Sequence, residues 1–142
     1  MDGYYFKSSK FEIEPGEDED INPRIYGRQL ATWLKARLEE CGYQVEDIID
    51  EDWGRCLMCA REPFWLWVGC GNVYDYDTAK PGDGPPAKED VTWLCFATAE
   101  MSFLKNLFRK KKVHPAAAVA KLHADLGRIL RAEPQIRLVD EP

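Results

Sequence analysis

Five consecutive residues, Phe64-Trp65-Leu66-Trp67-Val68, set the hardest condition on the fold. A strand turns successive side chains to opposite faces, so Phe64, Leu66 and Val68 point one way and Trp65 and Trp67 the other. A half-buried antiparallel strand alternates apolar with polar residues. This run is apolar on both sides, so a second surface, from the same chain or from a partner, has to cover two tryptophans. The run from Val91 to Thr98 repeats the problem, with Val91, Trp93, Cys95 and Ala97 against Leu94 and Phe96.

The remaining elements can be read around these two strands. Tyr4, Tyr5 and Phe6, then Phe11 and Ile13 alternating with Glu12 and Glu14, predict an opening strand or hairpin arm over 4–14, closed by Pro15-Gly16. Asn22 has the chemistry of an N-cap and Pro23 that of the first helical position. Ile21 and Tyr26 have the spacing of a hydrophobic staple across that cap. Tyr26, Leu30, Trp33, Leu34, Leu38 and Cys41 follow as one helical face, so a helix is expected over 22–41, with Gly42 as its stop. Alternation predicts a strand near 43–50, with Tyr43, Val45 and Ile48 or Ile49 inward, and Asp52-Trp53-Gly54 reads as a turn. Two further strands are expected at 55–61 and 64–70. Pro81-Gly82-Asp83-Gly84-Pro85-Pro86 marks 74–88 as a long exposed loop. A second helix is predicted from about Pro115 to Arg131, and after Pro134 the residues Ile136 to Val139 can add an edge strand. The chain is thus expected to be one globular α+β domain over 1–142. It should hold an antiparallel sheet of five to six strands with two amphipathic helices packed on one face. Leu30, Trp33, Leu34, Leu38, Leu122 and Leu126 are the expected helix contribution to the core.

Composition narrows the function classes. With 45% hydrophobic and 12% aromatic residues in 142, a core forms without disulfides or metal. A net charge of −6 argues against nucleic acid, whose binders carry a basic stripe. Residues 1–52 hold 14 acidic and 6 basic residues, whereas 100–131 hold 2 and 8, so the charge is split along the chain. Five scattered cysteines form no disulfide framework, and Met1–Lys7 does not read as a signal peptide, which points to a reduced, cytoplasmic setting.

No motif supplies decisive chemistry. Cys56-Leu57-Met58-Cys59 is a CxxC, but in a strand its two thiols point to opposite faces, and no second pair exists to complete a zinc site. Buried structural thiols are expected. Glu17-Asp18-Glu19-Asp20 and the acids at 46–52 match no calcium-loop spacing and read as solvated. No metal or other cofactor is implied. His114 is expected to lead into the second helix and His123 to sit half-buried at its margin. The apolar-basic segment 101–112 lacks the second anchor that peripheral membrane binding requires, so lipid contact there is not the expectation.

The block Tyr26-Gly27-Arg28-Gln29-Leu30-Ala31-Thr32-Trp33-Leu34, with Gly42-Tyr43-Gln44-Val45-Glu46 and Glu51-Asp52-Trp53-Gly54, resembles a pattern found in small uncharacterised bacterial proteins. The resemblance spans roughly the first half of the chain and implies a standalone cytoplasmic domain, with no activity attached. Together these features predict a non-enzymatic protein-binding domain, of immunity or antitoxin type. Its binding residues would be Trp65, Trp67 and Trp53, rimmed by Asp50, Glu51 and Asp52, facing a basic partner or a second copy in a homodimer. The rival from another class is a small enzyme with a pocket between the sheet and the 74–88 loop, using carboxylates as acid and base.

Overall fold

The computed structural model describes residues 2–73, 85–101 and 114–142. Its strands are β1 (Gly3–Ser8), β2 (Ile49–Glu51), β3 (Gly54–Ala60), β4 (Trp65–Asn72), β5 (Trp93–Glu100) and β6 (Ile136–Val139). They form one sheet in the order β2-β3-β4-β5-β1-β6, and every neighbouring pair is antiparallel. Two helices, α1 (Arg28–Glu40) and α2 (Ala116–Ala132), pack on one face. This is the α+β architecture expected from the sequence. Among the described residues no helix is long and apolar enough to cross a membrane.

The double-sided strands sort themselves as the period-2 pattern requires. Leu66 and Val68 of β4 and Trp93 and Cys95 of β5 lie buried beneath the helices, with Phe6 from β1 and Leu57 from β3. Leu30, Leu34 and Leu38 of α1 and Leu122 and Leu126 of α2 close this core. Burying each such side chain is worth about 1.5–3 kcal/mol. Trp33, expected in the core, is only half-buried, its ring centroid 5.5 Å from that of Phe11.

Helix α1 does not begin where the local signals place it. Its N-cap is Gly27, at φ 122°, and no side chain at that position caps it. Glu17, ten residues earlier, supplies the acceptor: its Oε1 takes the N–H of Gly27 at 3.1 Å and of Arg28 at 2.9 Å. A carboxylate there satisfies orphan amides and meets the positive end of the helix dipole. Asn22 instead donates its side-chain amide to the Asp52 carbonyl at 2.9 Å, which ties the approach to α1 to the β2–β3 turn. Glu17 is therefore not solvated but fully buried, and Arg55, 2% exposed, lies beside it. Three carboxylates serve Arg55: Asp20 at 3.1 Å, Asp50 at 3.2 Å and Glu17 at 3.8 Å.

Two expected strands are shorter than their alternation suggests. Pairing of β1 stops at Ser8, yet Phe11 is buried and Ile13 packs on the core from irregular chain. Over 43–50 only Ile49 and Asp50 are in strand; Val45 is buried from the preceding segment while Ile49 points outward. Alternation had recorded burial, not backbone pairing. Residues 74–84 of the expected loop and 102–112 of the apolar-basic segment lie outside the described residues.

Candidate functional site

The sheet face away from the helices is built around one missing side chain. Across four strands, Ile49, Cys56, Gly69 and Phe96 stand in register. At Gly69 a Cβ would lie 2.4 Å from Phe96 and 2.8 Å from the Trp53 ring, so both rings rest directly on the backbone. Trp53 comes from the turn between β2 and β3 and folds back over the sheet. Its ring centroid is 5.6 Å from Phe96 and 6.0 Å from Trp67, and Trp67 lies 5.7 Å from Phe96. Tilted and edge-to-face contacts of this kind add to the area that the rings bury. The result is a platform that remains half open: Trp53 is 41% and Trp65 46% exposed.

Beside the platform is a cavity of about 320 Å³, with Trp53, Trp65 and Trp67 as walls, Cys56 and Met58 buried in the strand beneath, and Ile49 at its edge. Three charged residues complete it: Glu51 from β2, Glu100 from the end of β5, and Arg61 from the β3–β4 connection. Arg61 is committed, donating Nε and Nη2 to the two Glu46 oxygens at 2.7 and 3.0 Å. Its guanidinium carbon also stands 5.4 Å from the Trp65 ring centroid. Burial pushes the Cys56 thiol up, and the carboxylates of Glu51 and Glu100 push it further, to about 11. At neutral pH this thiol is a poor nucleophile.

The structure brings Trp53, Trp65, Trp67 and Glu51 together at this cavity. Asp50 is turned away: strand alternation sends it toward Arg55, which it pairs at 3.2 Å on the opposite side of the sheet. Asp52 is exposed in the turn and does not line the cavity. Glu100, Arg61 and Met58 were missed, and register was the needed signal, since pairing sets Glu100 opposite Trp65 and Met58 opposite Trp67. Of the CxxC, Cys56 lies on the open face and Cys59 in the helix-side core, with burial raising the Cys59 thiol to about 12. Among the described residues no group of three or more His, Cys, Asp or Glu is placed to hold a metal ion.

A larger cleft, about 950 Å³, lies between the start of β1, the end of β5 and the N-terminus of α2. Its most chemical side chain, His123, is half-buried and stacked on Tyr4 at 4.5 Å. No family model, curated protein or solved structure matches the chain, so the functional reading rests on the site alone.

Proposed function

We propose that this chain is a non-enzymatic protein-binding domain that docks its partner on the open face of the sheet, through Trp65, Trp53 and Trp67. One observation carries the reading: two tryptophans 41% and 46% exposed stand on a preorganised aromatic platform that neither helix covers. Tryptophan is favoured at binding hot spots because it removes a large area from water at little cost in side-chain freedom. Exposed aromatic groups that stand together on one face, in contrast to single scattered ones, are the kind of surface that marks interaction sites. The acids at the edge of the face, Glu51 and Glu100, suit a basic partner, and the net charge of −6 adds attraction at longer range. An immunity- or antitoxin-type domain of the bacterial cytoplasm, which neutralises a basic protein by covering it, is the kind of binder that these features fit.

The test compares the wild type with Trp65→Ser. A partner isolated on the wild-type protein is purified and its affinity for both forms is measured, after equal thermal midpoints have been verified. The expected outcome is a stoichiometric complex weakened at least about 30-fold by the substitution, the effect of a hot-spot residue. Equal affinity for the two forms would remove Trp65 from the interface and the open face with it.

A further inference from the structure

We propose that the cavity framed by Trp53, Trp65 and Trp67 receives the cationic head of an arginine or lysine side chain carried by the docking partner. The inference rests on the docking reading and goes beyond it by assigning the chemistry of the central contact. Indole faces carry negative potential and attract cations, and three of the nine described residues lining the cavity are tryptophans. The chain itself already uses one of them this way, in the approach of Arg61 to the Trp65 ring.

The charges agree with the rings. Glu51 and Glu100 enter the cavity from two different strands, both exposed, and among the described residues neither has an ion-pair partner. The one cation of the lining, Arg61, is held at two points by Glu46. Two carboxylates with no ion-pair partner among the described residues therefore line the aromatic cavity, and their field reaches the Cys56 thiol beneath it. A neutral side chain would leave both carboxylates uncompensated, and an anion would be repelled. An arginine or lysine meets both demands, laying its methylene stem on Met58 and the rings while its head pairs with the acids. A second copy of this chain is a poor occupant, because it would bring the same acids to the same face.

The test uses two peptides, acetyl-Gly-Arg-Gly-amide and the same peptide with citrulline, which keeps the shape of arginine and lacks its charge. Binding to the full chain is followed by the indole N–H signals in NMR, assigned through Trp53→Phe and Trp65→Phe. The arginine peptide is expected to shift the Trp53 and Trp65 signals, with the citrulline peptide about tenfold weaker or silent. E51Q/E100Q, at exposed positions, should keep the thermal midpoint and weaken the arginine peptide about tenfold; added salt should weaken it too. Absence of any shift, or equal binding of the two peptides, overturns the inference. So does binding of tetramethylammonium more tightly than the arginine peptide, which would mark a site for a free small cation. A dimer in sedimentation velocity that is lost in Trp65→Ser overturns it in favour of a second copy. If the purified partner loses affinity for Trp65→Ser yet binds E51Q/E100Q normally, the cationic contact fails while the docking face stands. If the partner ignores Trp65→Ser, the docking face itself fails.

Discussion

Gly69 shows how much of the site depends on an atom that is absent. Phe96 and Trp53 both occupy the space its Cβ would need, at 2.4 and 2.8 Å. Gly69→Ala should therefore displace both rings and cost about 1–3 kcal/mol, as overpacking does. Near-ultraviolet circular dichroism should lose intensity as the three-ring packing loosens, and urea titration gives the stability. An unchanged spectrum and midpoint would mean that the rings do not rest on the strand. Individual site residues were legible unevenly in the sequence. That Trp65 and Trp67 lie on the face opposite Leu66 and Val68 follows from alternation alone, as does the split of Cys56 from Cys59, but which face the helices cover does not. Asp50 and Glu100 were not legible, because their sides and neighbours depend on which strand pairs with which and in what register.

Helix α1 carries the lesson about elements. Asn22, Pro23, Ile21 and Tyr26 satisfy the local grammar of a helix start, but the helix begins at Arg28. What overrides that grammar is tertiary: Gly27 fits against Arg55, Trp93 and Gly71, with a Cβ there 3.7–3.8 Å from each, and its φ of 122° suits glycine. The capping group comes from Glu17, in a run of acids that by composition belongs in water. Burial of that carboxylate is tolerable because it takes the amides of Glu14, Gly27 and Arg28 and sits beside Arg55. Glu17→Ala leaves those amides and a buried guanidinium with fewer partners, so it should destabilise the fold by about 3–5 kcal/mol. Glu17→Gln, which keeps the acceptor oxygen, should recover part of the loss. A cost for Glu17→Ala below about 0.5 kcal/mol in urea unfolding, the level of an ordinary surface change, would show that the cap is dispensable. The amphipathic stripes themselves needed no such help, since Leu30, Leu34 and Leu38 are fully buried at the spacing read from the sequence.

At the level of the whole molecule, α2 is tied to the segment that follows α1 by a polar clasp that the apolar pattern conceals. Asp125 of α2 is 4% exposed; it accepts from the Tyr43 hydroxyl at 2.5 Å and pairs with Lys121 and Arg128. Burial pushes its carboxyl up, but Lys121, Tyr43 and Arg128 together hold it below the ordinary aspartate value. A lowered folded value stabilises the protein above about pH 3.9, and that stability is lost as pH falls through the folded value. Asp125→Asn should thus be less stable than the wild type near neutral pH, and the two should converge as the pH falls below the folded value of Asp125. A gap in urea midpoints that persists undiminished in acid would assign the effect to shape instead of charge.

The sheet has one face covered by the two helices and another on which Trp65 stands 46% exposed, and two substitutions separate their contributions. Leu34 is fully buried under the helices, and Leu34→Ala should cost about 2–5 kcal/mol. Trp65 stands on the other face, 46% exposed, and Trp65→Thr keeps a residue suited to a strand, so its cost should stay below about 1 kcal/mol. The pair Trp65 and Trp67 cannot be treated as a unit, because Trp67 is half-buried against Trp53 and Phe96 and contributes to packing as well. Thermal unfolding of the two single variants side by side decides the matter. If Trp65→Thr lowers the midpoint as much as Leu34→Ala, the open face is part of the molecule's own core and the tryptophan is not spare. If only Leu34→Ala unfolds early, the exposed indole is one that folding does not require, as the proposed docking role demands.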